Sequence, residues 1–165
     1  MKCPKCGEKW RVANTASNGD STQTASQEFT AVVDQHYGVT LSVDSDSKQS
    51  KPGEDVDFIF NITNTGNGQD NYILSVSGPA VWNPVLSQNV SSISAVSVSQ
   101  FTMTVSIPSD RDAGASSGDI VVTVVSSDGL STANSTVSVM SSQVYDIGLD
   151  HVSGSDGVVS VTQET

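Results

Sequence analysis

The stretch NITNTGNGQDNYILSV, residues 61–76, decides the fold. Upstream of its centre, Val56, Phe58, Phe60 and Ile62 alternate with Asp57, Ile59 and Asn61. Downstream, Tyr72, Leu74 and Val76 alternate with Ile73, Ser75 and Ser77. A period of two puts each apolar set on one face of a strand. The Asn/Gly cluster between them is turn chemistry. The segment reads as two adjacent strands joined by a reversal over NTGNG. In this reading Gly66 and Gly68 supply positive φ, Asn64 and Asn67 tolerate it, and the loop is a turn rather than a ligand site.

The same grammar extends in both directions. Tyr37–Val43 reads as a first strand, and SKPGED as a Pro-Gly turn into Asp55–Thr63. Asn71–Ser77 returns the chain. GPAVWNPVLS is a short edge piece interrupted by proline. In Val96–Ile107, Phe101, Met103, Val105 and Ile107 alternate with Thr and Ser. Pro108 ends that run, and SDRDAGASSG is a loop. Ile120–Val125 is apolar on both faces, as a central strand is. SSDG is the last turn before Leu130–Ser141. About seven strands at short spacing predict a β-sandwich. The core is expected to hold Val56, Phe58, Phe60, Tyr72, Leu74, Phe101, Met103, Val105, Val122 and Val124. No segment carries a 3.6-residue period, and with 43 Ser and Thr among 165 residues the composition favours strands and turns.

Sliding the sequence by 108 positions exposes a repeat. Gln35, Tyr37 and Leu41 fall on Gln143, Tyr145 and Leu149, Val39 falls on Ile147, and Phe29 and Ala31 fall on Val137 and Val139. Such a period is too long for a solenoid unit and suits a whole sandwich. The chain divides accordingly. Residues 1–11 are a basic Cys-x-x-Cys segment, and 12–34 the closing strands of a preceding unit. Residues 35–142 are one complete sandwich, and 143–165 begin a following unit.

Ordered along the chain, KPGEDVDFIFNITNTGNGQDNYILSVSGPAVW…FTMTVSIPSDRDAGASSGDIVVTVVSSDG resembles two related families over about residues 37–140. One is the cell-adhesion-related domain of prokaryotic surface proteins. The other is the Ig-like domain found beside catalytic domains in alpha-galactosidases and in many archaeal-type surface proteins. The resemblance implies an all-β, Ig-like (fibronectin type III-like) antiparallel sandwich serving as spacer, adhesion module or accessory domain. It departs from the pattern at GDIVVTVV, where an aromatic residue is common.

Charge narrows the function classes. Residues 1–11 carry a net charge of +3, and residues 12–165 carry −14. An acidic body of that size repels nucleic acid and anionic membrane surfaces. No run approaches the ~20 apolar residues of a membrane span. MKCPKCGEKW lacks the apolar centre of a signal peptide, so export is expected only as part of a longer protein.

Each candidate site has a bland counterpart. Cys3 and Cys6 form one zinc knuckle, but Zn²⁺ takes four ligands and the chain has no other cysteine. A disulfide, free thiols or a ligand set completed elsewhere remain open. Asp44 and Asp46 in DSDS, and Asp110 and Asp112 in SDRD, are candidate calcium loops, although Ca²⁺ takes six to eight oxygens and separate loops would have to converge. His36 and His151 read as surface strand residues. Trp82 reads as a plug for one end of the sandwich, with a sugar-stacking platform as the other reading. Asn61, Asn89 and Asn134 open N-x-[ST] sequons that matter only on export. No nucleophile motif is present. The expectation is a non-enzymatic structural or adhesion repeat without cofactor, on the cell surface or extracellular. Its partners would be other surface-protein domains or cell-surface polymers. The alternatives are a carbohydrate-binding accessory module of a secreted glycoside hydrolase, and a zinc or redox protein acting through Cys3 and Cys6.

Overall fold

The computed structural model describes residues 9–17, 19, 24–149 and 161–164. Two strands, β1 (Lys9–Ser17) and β2 (Thr24–Val32), pair as an antiparallel hairpin. Nine strands then lie between Val39 and Ser141: β3 (Val39–Val43), β4 (Ser47–Ser50), β5 (Asp55–Asn64), β6 (Asp70–Ser77), β7 (Val85–Leu86), β8 (Val90–Ile93), β9 (Val98–Ser106), β10 (Ile120–Ser126) and β11 (Thr132–Ser141). A second hairpin follows, made of β12 (Asp146–Leu149) and β13 (Val161–Glu164). The nine form a five-stranded sheet in the order β4-β11-β10-β6-β8 and a four-stranded sheet in the order β3-β5-β9-β7. The architecture is an all-β sandwich of Ig-like type.

Alternation builds the core. Along β5 the even positions Val56, Phe58, Phe60, Ile62 and Asn64 are buried, while Asp57 and Ile59 face out. β6, β9 and β10 contribute Tyr72, Leu74, Phe101, Met103, Val105, Ile120, Val122 and Val124. All ten residues expected inside are inside. Phe60 and Phe101 pair across β5 and β9, with rings stacked at 5.1 Å between centroids. A fully buried side chain of this size contributes about 1.5–3 kcal/mol through water exclusion.

The sequence reading places about seven strands where nine form, and two pairings are new. SKQS, residues 47–50, receives no strand in the sequence reading, yet it is β4 and runs parallel to β11. The sandwich is thus not wholly antiparallel. The first strand changes sheets at Asp44–Asp46, so one continuous run closes the edges of both layers. In NVSSIS, Val90–Ile93 is a strand that pairs with β6. Both segments are short and Ser-rich, so neither carries an apolar alternation long enough to read. The Pro-Gly turn forms as expected: the Glu54 N–H donates to the Lys51 carbonyl at 3.1 Å, and Gly53 takes φ +81°.

The topology separates the two ends of the unit. β3 enters beside the end of β5, with Val39 paired to Asn64. β11 leaves beside the start of β5, where the Ser142 N–H donates to the Ser50 carbonyl at 2.8 Å and the Gly114 N–H to the Ser141 carbonyl at 2.8 Å. The ten residues of β5 lie between these poles. At about 3.3–3.4 Å per residue they span roughly 33 Å.

Candidate functional site

At the incoming pole the NTGNG loop grips the chain segment that precedes β3. The His36 N–H donates to Asn67 Oδ1 at 2.7 Å, and Asn67 Nδ2 donates to the Asp34 carbonyl at 2.9 Å. Backbone bonds run from the Asn67 N–H to the His36 carbonyl at 3.1 Å and from the Thr65 N–H to the Gly38 carbonyl at 3.0 Å. Gln35 Nε2 adds a bond to the Gln69 carbonyl at 3.1 Å. The loop is therefore a clasp as well as a turn. Its glycines work differently from the expectation: neither Gly66 nor Gly68 takes a positive φ. Gly66 is buried, and a Cβ there would stand 2.4 Å from the His36 carbonyl oxygen. The close approach of another backbone, rather than a left-handed turn, requires glycine at that position.

Two buried polar residues, Asn64 and Asp70, bracket the clasp loop, and Asn64 braces it directly. Asn64 is fully buried and uses both ends of its amide: Nδ2 donates to the carbonyls of Gly68 at 2.9 Å and Ile93 at 3.0 Å, and Oδ1 accepts from the Gly66 N–H at 2.8 Å. Asp70 is 3% exposed. Its carboxylate accepts from the hydroxyls of Ser126 and Ser127, from the Asn71 N–H at 2.8 Å and from the Ser127 N–H at 3.3 Å. Burial pushes its pKa up, but these donors together outweigh burial and hold it below the ordinary 3.8. Beside it, burial and the Asp70 charge push Tyr72 up to about 12. The Tyr72 hydroxyl donates to the Gly38 carbonyl at 3.0 Å, tying the core to the same incoming segment. A signal for both residues lay in the sequence. Asn64 and Asp70 fall on the inward parity of their strands, where a polar side chain must find partners.

The outgoing pole is shaped by Pro52, Arg111–Ala113 and Ser142–Val144, which line a shallow cleft of about 460 Å³. Arg111 Nε lies 3.5 Å from Asp110 Oδ1. Beyond the cleft the Tyr145 side chain is 72% exposed. Tyr37, 108 positions earlier, is half-buried at the incoming pole.

The candidate cation residues lie apart from one another. Asp44 sits at the sheet switch, where Oδ2 meets Lys48 Nζ at 2.5 Å and Oδ1 accepts from the Ile59 N–H at 2.9 Å. The Lys48 hydrogen bond holds its pKa below the ordinary value, against the opposing effect of burial. Asp46 is exposed, and its carbonyl accepts from the Ser138 N–H at 2.9 Å. Asp110 and Asp112 belong to the outgoing-pole loop, where the Asp112 carbonyl accepts from the Ala115 N–H at 3.1 Å. Among the described residues no three His, Cys, Asp or Glu side chains converge as a metal site would require. Cys3, Cys6 and His151 lie outside the described residues. Trp82 ends a short 3₁₀ turn (Ala80–Trp82) and is 3% exposed, so it packs and does not offer a sugar platform.

No family model matches the chain, and no curated protein matches it in sequence. Solved structures do share its fold. Part of a family 123 glycoside hydrolase from Clostridium perfringens is similar over 67% of this chain, with TM-score 0.51 and 9% identity. The chain corresponds to only 28% of that enzyme's length. A PapD-like domain of human CEP192 is similar over 63% of this chain and 84% of its own, with TM-score 0.42 and 13% identity. Domains 4 and 5 of the S-layer protein SbsC cover 81% of this chain and 59% of theirs, with TM-score 0.42 and 18% identity. Identities this low speak to the sandwich fold and not to activity. Among the described residues no helix is long and apolar enough to cross a membrane.

Proposed function

We propose that residues 35–142 are a non-enzymatic spacer module of a larger secreted or cell-surface protein, set in series with similar modules. One observation carries this reading: the polypeptide is held at one pole on arrival and leaves from the opposite pole. Modules joined this way extend a chain by their own length instead of folding back. The clasp at 64–69 gives the incoming linker five hydrogen bonds, so the junction is stiff and not a free hinge. Serine and threonine on the outer faces, with a net charge of −14 beyond residue 11, keep neighbouring modules soluble and apart. Partners in this role are other domains of the same surface protein or cell-surface polymers. The same negative charge repels nucleic acid.

The carbohydrate-binding reading has the partial likeness to a glycoside hydrolase in its favour. Against it, Phe58, Phe60, Tyr72, Trp82 and Phe101 are all buried and Tyr37 is half-buried at the incoming pole, so residues 35–142 offer no exposed aromatic platform. Electron microscopy of a polypeptide carrying several successive copies of residues 35–142 separates the two. A spacer gives rods that lengthen by on the order of 35–40 Å per added copy. Compact particles whose length does not grow with copy number would defeat the reading.

A further inference from the structure

The β1–β2 hairpin has the register of another hairpin in the same chain. Lys9 pairs with Val32, Val12 with Phe29 and Ala16 with Ala25. In β10–β11, Ile120 pairs with Val137 and Val124 with Ala133. Adding 108 to both members of Val12–Phe29 gives Ile120–Val137, and adding it to Ala16–Ala25 gives Val124–Ala133. The offset read from sequence identities thus reproduces a strand register, which sequence identity alone does not dictate.

The faces agree as well. Antiparallel partners point to one side of a sheet. By strand parity the register groups Trp10–Ala31, Val12–Phe29, Asn14–Gln27 and Ala16–Ala25 as one set of positions. Lys9–Val32, Arg11–Thr30, Ala13–Glu28, Thr15–Ser26 and Ser17–Thr24 form the other set. Shifted by 108, the first set falls on the parity that β10–β11 turns inward. There Val137 is 1% exposed and Val139 fully buried, yet Phe29 at the equivalent position is 54% exposed and Ala31 is exposed too. The complete module shows what such a face needs. β10–β11 is flanked by β6 and β4 and covered by the core side chains of the opposite sheet.

We propose that β1–β2 is the closing hairpin of a second sandwich of this same type. Its apolar face would be covered by strands equivalent to β3, β5 and β9, and its free edge paired by an equivalent of β6, all supplied by polypeptide other than residues 35–142. This rests on the serial-module reading and names the partner at the N-terminal side of the clasp. The junction then has a defined composition: one module ends at Asp34, whose carbonyl the clasp of the next already holds.

The test keeps residues 9–165 intact and places a copy of residues 35–116 directly before Lys9, which preserves the 108-residue spacing. Amide hydrogen exchange is compared between this extended chain and the natural one, with β10–β11 as internal reference. Exchange in β1–β2 is expected to slow at least about 100-fold on extension, toward the β10–β11 range. Phe29→Asp should abolish that gain while leaving β10–β11 unchanged. Unaltered exchange in β1–β2, with the added residues unfolded, would overturn the proposal. The pole-to-pole geometry of residues 35–142 would still stand in that case, because it is measured on the other module.

Discussion

Replacing Gly66 by alanine tests whether the NTGNG loop is a clasp. The added methyl would lie 2.4 Å from the His36 carbonyl oxygen and 3.0 Å from Asn64 Oδ1. The first neighbour is backbone and cannot rotate away, so segment 34–38 must shift or the loop must open. Either movement breaks the Asn67–His36 and Thr65–Gly38 backbone bonds and the two bonds of the Asn67 side chain. Four bonds, each with a net worth of about 0.5–1.5 kcal/mol and at the low end where exposed, give a loss of about 2–4 kcal/mol. For a module of this size that lowers the melting midpoint by roughly 10–18 °C. Urea denaturation with amide exchange at residues 35–38 reads both effects. Asn67→Ala removes the side-chain bonds without a clash and should cost about 1–2 kcal/mol. A Gly66→Ala variant within about 0.5 kcal/mol of the parent, with residues 35–38 still protected, would refute the reasoning.

Asn64→Ala leaves the Ile93 and Gly68 carbonyls and the Gly66 N–H without their partner, and should cost about 2–4 kcal/mol by denaturant titration. Phe101→Ala empties a buried site stacked on Phe60 and should cost about 3–5 kcal/mol in the same assay. Val96 is held at φ +54° on an exposed turn, so Val96→Gly should stabilise the module by about 1 kcal/mol. Asp70 is depressed below 3.8 when folded, so its contribution is complete above the unfolded value and disappears as pH falls through the folded one. Stability should therefore be level from neutral pH to about pH 5 and decline below, and Asp70→Asn should flatten that decline.

The core was legible because its residues obey a strict period of two. Val56 to Ile62 and Phe101 to Ile107 name their own buried faces. β4 was not legible: SKQS has no apolar residue, and its place is set by parallel pairing with β11 far along the chain. The clasp was half legible. NTGNG announced a reversal, but the need for glycine at 66 comes from a carbonyl 30 residues earlier, which local turn rules do not see. Asn64 and Asp70 were readable in principle, since inward parity marks them as buried polar residues awaiting partners. The 108-residue offset, found through Gln35 and Tyr37, coincides with the hairpin register of β1–β2.

The distance between the two poles tests the spacer account most directly. Spin labels at His36→Cys and Gln143→Cys, in a chain with Cys3 and Cys6 changed to serine, report it by pulsed electron resonance. Both sites are exposed, one beside the clasp and one beside the outgoing cleft. The account predicts a single narrow distribution centred on the order of 35–45 Å, the length of β5 plus the polar loops. A distance below about 20 Å would place arrival and departure at the same end and contradict the account, since a strand the length of β5 would no longer separate them.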